Sequence, residues 1–269
     1  MIQTASAFAA KAPFRLLAGG DADFDILMIH GFGADSLSWM ANAPALGSKY
    51  RVWGVDLPGH GEADSASNGS LASLTDAVMA GLAATVPGRV HLVGHSLGGS
   101  IALEIAKRVP AKIASLALFA PAGLGTGINR AFTDAFTQLR DAASAETILR
   151  KLVVRHRLIN QHMISRVLAH LQKSQRRETL GLIAVHLRSI EGPVADAVAA
   201  VVRSAIPTMT IWGALDQINP PDRRRLNALG GEQHFLTEAG HLPQIEDYNT
   251  CNGLLQTFLE KHSQHTVAT

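Results

Sequence analysis

The hydrophobic residues of the chain fall into short, nearly continuous runs that alternate with longer periodic ones. Short continuous runs are typical of strands that are covered on both faces, as in a parallel sheet. They predict strands at residues 24–31, 50–56, 89–94, 114–121, 207–213 and 232–238. Between them, residues 70–86 and 100–109 repeat apolar side chains at helical spacing. Strands that alternate with helices predict an α/β fold with a doubly wound, mostly parallel sheet.

One long segment breaks this alternation. Residues 124–205 contain only helical patterns, such as NRAFTDAFTQLRDA, AETILRKLVVRHRLI and RRETLGLIAVHLRSI. We therefore expect a helical cap at 124–205, inserted between a first part of the core at 1–123 and a second part at 206–269. The cap segment holds 12 Lys and Arg against 6 Asp and Glu. This excess of basic residues predicts a helical face that is exposed to solvent. Alternatively, the basic residues bind an anionic substrate or an acidic partner.

Composition narrows the class of protein. Of the 269 residues, 47% are hydrophobic and 17% charged, and the net charge is +2, so a globular protein without a nucleic-acid partner is expected. No apolar run approaches the length of a membrane span. The N-terminal stretch MIQTASAFAAKAPF has no basic region ahead of an apolar one, and Cys251 is the single cysteine, so we expect a cytoplasmic protein. We expect no cofactor and no metal, and the oligomeric state is left open.

A serine between glycines is the first candidate for chemistry. In LVGHSLGGSIALEIA, Ser96 lies between Gly94 and Gly98, with a predicted strand before it and a predicted helix after it. This arrangement is typical of a nucleophile elbow, in which side chains at the glycine positions would clash with the neighbouring strand and helix. The helix N-terminus that follows favours negative charge, as a developing oxyanion requires. Ser96 is therefore the candidate nucleophile.

A serine nucleophile needs a base and an acid to orient that base. His241, in TEAGHLPQIED, follows the last predicted strand, and Asp216, in TIWGALDQINPP, follows the strand before it. The order Ser96, Asp216, His241 is the one expected for an α/β-hydrolase triad. Asp222 is a weaker candidate acid, because it follows two prolines and has the position of a helix-start residue. The insertion's histidines are interpreted as ordinary structural residues: His156, His162, His170 and His186.

The oxyanion also needs hydrogen-bond donors. The turn HGFG (residues 30–33) follows the first strong strand and offers backbone N–H groups at the same edge of the sheet. We expect the oxyanion hole to consist of the N–H of Phe32 and the N–H of Leu97, the residue after the nucleophile.

Five motifs resemble successive landmarks of the α/β-hydrolase superfamily across almost the whole chain: HGFG, DLPGHG, GHSLGG, WGALDQINP and GHLPQIED. The helical insertion lies where that superfamily carries its cap. More narrowly, FAPAGLGTGINRAFTDAF is similar to the hydrolase-like domain of the acetyl-transferring component of acetoin dehydrogenase complexes. Such components carry a lipoyl-bearing region ahead of this domain, and the printed sequence has none, so we expect a free-standing hydrolase.

These motifs predict a cofactor-independent serine hydrolase that cleaves a small to medium carboxylic ester through an acyl-enzyme. The serine argues against haloalkane dehalogenases and epoxide hydrolases, which resemble this fold and use an aspartate at that position. A carbon–carbon bond hydrolase, a thioesterase or an acyltransferase with the same triad remains an alternative. A ligand-binding protein that keeps the triad without catalysing a reaction is an alternative from a different functional class.

Overall fold

A seven-stranded sheet forms the centre of the computed structural model, which describes residues 12–64 and 66–263; the N-terminal stretch considered above lies almost entirely outside them. The strands are β1 (Phe14–Ala18), β2 (Phe24–Ile29), β3 (Tyr50–Val55), β4 (Val90–His95), β5 (Ile113–Phe119), β6 (Thr208–Gly213) and β7 (Glu232–Leu236). Their order in the sheet is β1-β3-β2-β4-β5-β6-β7, and only β1 runs antiparallel to its neighbour. The carboxyl ends of the six parallel strands therefore meet at one edge of the sheet.

Helices cover both faces of this sheet. They are α1 (Ala43–Leu46), α2 (Leu71–Thr85), α3 (Leu97–Arg108), α4 (Arg130–Gln138), α5 (Ala142–Leu149), α6 (Gln161–Gln172), α7 (Arg176–Leu187), α8 (Glu191–Arg203), α9 (Arg223–Leu229), α10 (Pro243–Glu246) and α11 (Tyr248–Lys261). The predicted mostly parallel α/β sheet with flanking helices is confirmed. Among the described residues, no helix has both the length and the apolar character needed to cross a membrane.

Side chains of β2 alternate between two hydrophobic clusters. Leu27 and Ile29 pack in the cluster that contains the α3 residue Ile101, whereas Ile26 and Met28 pack in the cluster of α11. Burial on both faces explains why the strands have no polar alternation. It also leaves the edge where the parallel strands end as the place for polar, chemically active loops.

Strand β1 is not among the strands that the sequence predicts. This strand is short, has the sequence FRLLA and lies at the edge of the sheet, where Leu16 is 46% exposed. Its pattern is neither a continuous apolar run nor a clean alternation, so periodicity alone could not identify it.

The segment between β5 and β6, which is described throughout, contains five α-helices and no strand. Its last helix, α8, packs against α3 of the core. The helical pattern of AETILRKLVVRHRLI continues past Leu149, but α5 ends at Leu149 and a short 3₁₀ turn, Arg150–Leu152, follows. The chain then becomes extended at the buried Val153, because this segment pairs with the loop of His241 (see below).

Candidate active site

Ser96 occupies the turn between β4 and α3 with an unusual backbone conformation, φ 51° and ψ −115°. Only tight packing allows it: a Cβ on Gly94 would lie 2.5 Å from the carbonyl oxygen of Gly98, and a Cβ on Gly98 would overlap the carbonyl oxygen of Ile29. Positive φ at a residue other than glycine costs on the order of 1–3 kcal/mol and is concentrated at functional sites. The two glycines thus allow strand, turn and helix to approach closely enough to hold Ser96 in this conformation.

Asp216 and His241 are in direct contact, although 25 residues separate them in the sequence. The Nδ1 atom of His241 lies 2.7 Å from Oδ2 of Asp216, and both side chains are buried. Because the carboxylate oxygen accepts, Nδ1 carries the proton, which leaves Nε2 of the neutral ring with a free lone pair. His241 therefore has the tautomer that a general base for a serine needs.

Three further N–H groups fix the Asp216 carboxylate. Its Oδ1 accepts from the backbone of Ile218 at 2.8 Å and of Asn219 at 2.9 Å, and its Oδ2 accepts from the Trp212 indole at 3.0 Å. Four donors on two oxygens suit a group that only accepts, namely an ionised carboxylate. The weaker candidate, Asp222, instead caps the N-terminus of α9 through the N–H groups of its first turn.

The backbone of His241 is fixed from both sides. Its N–H donates to the carbonyl oxygen of Leu152 at 2.8 Å, and its own carbonyl oxygen lies 2.9 Å from Nε2 of His95, which donates. Burial, together with the neighbouring His241, lowers the pKa of His95 well below its ordinary value. The ring of His95 is therefore neutral and keeps its hydrogen bond to the carbonyl oxygen of His241. From the sequence, His95 is expected only to point away from Ser96 in the turn, and its contact with the backbone of His241 has no signal there.

Glu246 fixes the residue before His241 as well. Its Oε1 accepts from the N–H of Gly240 at 2.6 Å, and its Oε2 accepts from the N–H groups of Val154 at 2.7 Å and Arg155 at 3.2 Å. The side chain is buried, with 4% of the residue exposed. This carboxylate joins the histidine loop to the turn after α5, a role that sequence spacing alone could not reveal.

The HGFG turn is shaped by two buried histidines. His30 accepts from the N–H of Leu57 through Nε2 at 3.1 Å, so its protonated Nδ1 donates to the carbonyl oxygen of Gly31 at 2.8 Å. His60 likewise accepts from the N–H of Gly33 at 3.0 Å. Burial lowers the pKa of His30 below its ordinary value and that of His60 well below it, so both act as neutral acceptors.

Within the part of the chain that the structure describes, two N–H groups beside Ser96 have no hydrogen-bond partner. A Cβ on Gly31 would lie 3.2 Å from Cβ of Ser96, so the turn packs against the serine. Among hydrogen bonds of the described residues, none uses the N–H of Phe32 or that of Leu97. These are the two groups that the sequence suggests as oxyanion donors.

A cavity of about 390 Å³ opens at this point, and Ser96 and His241 both lie in its wall. Its apolar lining comes from the core turn and from the helical insertion alike: Phe32, Phe132, Phe136, Leu149, Leu152, Leu158, Met163, Val167, Ile218, Leu242 and Ile245. Arg166 of α6 and Asp35 of the core form an ion pair in the same wall. An apolar cavity with a few converging polar groups is the usual form of a small-molecule site.

No group of three or more His, Cys, Asp or Glu residues with a metal-binding arrangement occurs in the described ranges 12–64 and 66–263. Cys251 is buried, and burial raises the pKa of its thiol to about 12, so it packs as an inert side chain.

The model of the alpha/beta hydrolase family matches residues 26–250 of this chain. Over 248 residues the chain is 32% identical to the dihydrolipoyllysine-residue acetyltransferase component of the acetoin cleaving system of Pseudomonas putida, a match that covers 91% of this chain and 65% of the relative. The similarity to that component, predicted from the sequence, is confirmed. The chain spans less than two thirds of this relative's length.

Two other comparisons extend the picture. The chain is 28% identical over 256 residues to a pimeloyl-[acyl-carrier protein] methyl ester esterase of Neisseria meningitidis, covering 89% of this chain and 94% of the relative. Among solved structures, a meta-cleavage product hydrolase from Pseudomonas fluorescens superimposes with a TM-score of 0.80 at 21% identity, covering 93% of this chain and 94% of that one. The latter likeness concerns the fold alone.

Proposed function

The chain belongs to the alpha/beta hydrolase family, and from this premise we propose that it is a serine hydrolase that cleaves small to medium carboxylic esters through an acyl-enzyme. The observation that carries the proposal is that His241, which contacts Asp216, lies together with Ser96 in the wall of an apolar cavity. Support also comes from the methyl ester esterase to which the chain is similar over most of both lengths.

In the first half of the proposed reaction, Oγ of Ser96 attacks the ester carbonyl while Nε2 of His241 takes the hydroxyl proton. Asp216 stabilises the imidazolium cation that forms. The carbonyl oxygen becomes an oxyanion and accepts from the N–H groups of Phe32 and Leu97. The carbon–oxygen bond of the ester then breaks, and His241 gives the proton to the departing alkoxide, which leaves as the alcohol.

In the second half, water attacks the acyl group on Ser96 and His241 takes one of its protons. The acyl–oxygen bond to the serine breaks, His241 returns the proton to Oγ, and the carboxylic acid leaves. The resting ring and hydroxyl are restored, so no cofactor is consumed.

The proposal includes a cap at 124–205 between core parts 1–123 and 206–269. In support, α4, α5 and α6 contribute Phe132, Leu149 and Met163 to the cavity wall. Within this unit α8 is the helix that returns the chain to the core, because it packs on α3.

We also assign an uncharged acyl group to the substrate, in place of the anionic alternative. The cap arginine in the cavity wall, Arg166, already pairs with Asp35. Other cap arginines bind elsewhere: Arg177 donates to the carbonyl oxygens of Thr137 and Leu139, and Arg188 pairs with Asp134. Neither Arg177 nor Arg188 is among the residues that line this cavity. A cytoplasmic location stays a prediction that rests on the single cysteine.

Hydrolysis of p-nitrophenyl esters from acetate to dodecanoate by the wild type and by Ser96→Ala tests the proposal. We expect turnover that the substitution abolishes, and a preference for chains that fit the cavity. Turnover that persists in Ser96→Ala would overturn the assignment of the nucleophile. No turnover of any ester by the wild type would overturn the ester assignment and direct attention to thioesters, carbon–carbon bonds, acyl transfer or ligand binding.

A further inference from the structure

A second cavity, of about 290 Å³, lies beside the first, between the insertion and the helices α2 and α3. The two cavities share one lining residue, Leu187, the last residue of α7. Leu187 is 5% exposed. Since a single leucine forms part of both walls, the two spaces are separated by little more than the width of its side chain.

The second cavity begins close to the candidate nucleophile. One of its lining residues is Leu97, which directly follows Ser96 and whose N–H is the proposed oxyanion donor. Further along, the cavity has an apolar part formed by side chains such as Leu71 and Ile183. The second cavity thus includes the residue next to the candidate nucleophile, and Leu187 belongs to the walls of both cavities.

The remaining lining of this cavity is polar. Glu104, Lys107 and His186 contribute to it, and Glu104 and Lys107 form an ion pair with each other at 3.3 Å. The lining thus combines apolar side chains that an alkyl chain can contact with charged groups that already pair with each other.

We propose that Leu187 limits the length of the acyl chain, by closing the end of the substrate cavity that faces the second one. This inference rests on the proposed esterase function, since it concerns the same bound acyl group. Truncation of Leu187 joins the two spaces into one continuous apolar channel. Longer chains then bury several additional methylene groups, and each methylene removed from water strengthens binding.

The test compares the wild type with Leu187→Ala and Ile183→Ala. Ile183 lies on the same helix, is fully buried and lines only the second cavity, so its truncation removes a similar amount of core without breaching the partition. For each protein, kcat/KM is measured across the p-nitrophenyl ester series, and binding of neutral n-alkyl methyl ketones of rising length is measured by calorimetry. Leu187→Val, a smaller truncation, serves if the alanine variant does not fold.

We expect Leu187→Ala to raise the preference for decanoate over hexanoate by about tenfold or more, with a parallel gain for the long ketones, and Ile183→Ala to keep the wild-type preference. No change in Leu187→Ala, or an equal change in both variants, overturns the partition. If neither the wild type nor any variant hydrolyses an ester, the esterase proposal fails. The calorimetric binding of the ketones then tests the role of Leu187 by itself. Tighter binding of long ketones by the Leu187 variants alone then supports the partition. Equal binding of long ketones by all the proteins, or no binding by any of them, overturns it.

Discussion

The Oε1 atom of Glu246 accepts a hydrogen bond of 2.6 Å from the backbone N–H of Gly240, the residue directly before His241. Its other oxygen binds the backbone of Val154 in the insertion. The imidazole of the proposed base is thus positioned by contacts that include the backbone of the helical insertion. Such positioning matters, because small displacements of a catalytic group cost much of the rate.

Replacement of Glu246 by glutamine is expected to lower kcat by about tenfold with a smaller change in KM. The amide has one acceptor oxygen in place of two, so one backbone N–H of the loop or of the cap loses its partner. Steady-state kinetics on the best p-nitrophenyl ester measures the effect. Glu238→Gln is the matched control, since Glu238 lies in the same loop with its side chain 85% exposed. Equal kcat values for Glu246→Gln and the control would contradict the positioning role.

Asp216→Asn is expected to reduce kcat by about 10³–10⁴-fold, the size of effect seen when a triad aspartate loses its charge. The side chain remains isosteric, but an amide nitrogen facing Nδ1 favours the ring tautomer that carries its proton on Nε2. That tautomer cannot accept the proton of Ser96. Asp222→Asn is the control, because Asp222 caps α9 away from the cavity. If both asparagine variants kept wild-type turnover, Asp216 would not be the orienting acid.

The shape of the HGFG turn gives a third expectation. Gly33 has φ +75°, and a Cβ there would overlap the ring of Phe136. Gly33→Ala must therefore shift the turn and with it the N–H of Phe32, so kcat is expected to fall by about tenfold or more. Gly88→Ala, at a position with open space around it, is the control and should leave kcat unchanged. Wild-type kcat in Gly33→Ala would argue against a role of this turn in binding the oxyanion.

The fold was predictable because most strands are buried on both faces and show continuous hydrophobicity. The edge strand β1 was not predictable, because its neighbouring side chains Arg15 and Leu16, which point to opposite faces, are both exposed at the sheet edge. Within the site, Ser96, Asp216 and His241 could be proposed from the sequence, because each of them follows a predicted strand. The contacts of Glu246 could not, since they join residues 92 positions apart through a turn that interrupts a helical pattern.

His91 gives an expectation for stability rather than activity. It is buried in β4, its Nδ1 lies 2.8 Å from Oγ of Ser115 and its Nε2 lies 3.1 Å from Oγ of Ser263. Burial, assisted by the charges of His262 and Arg89, lowers the pKa of His91 to about 4. An exposed histidine in the unfolded chain titrates near its ordinary value of about 6.5.

Because the folded pKa is lowered, the unfolded chain binds the proton more readily between these two values. The stabilisation by neutral His91 is fully present above about pH 6.5 and is lost as the pH falls towards 4, in total about 3 kcal/mol. Over that window this residue alone adds about 1.4 kcal/mol per pH unit to the slope of the unfolding free energy. The other buried histidines with lowered pKa values, His30, His60 and His95, act in the same direction.

Urea unfolding of the wild type, His91→Gln and His156→Gln between pH 7 and pH 4.5 measures this slope. Glutamine at position 91 cannot take up a proton, so the slope for His91→Gln is expected to be shallower by about one bound proton, whatever the variant's stability at pH 7. His156→Gln is the control, because His156 is exposed in the folded chain. Its replacement removes one histidine and leaves the buried histidines in place. Equal slopes for wild type and His91→Gln would show that His91 takes up its proton equally well in the folded chain, in conflict with its burial between two serine hydroxyls.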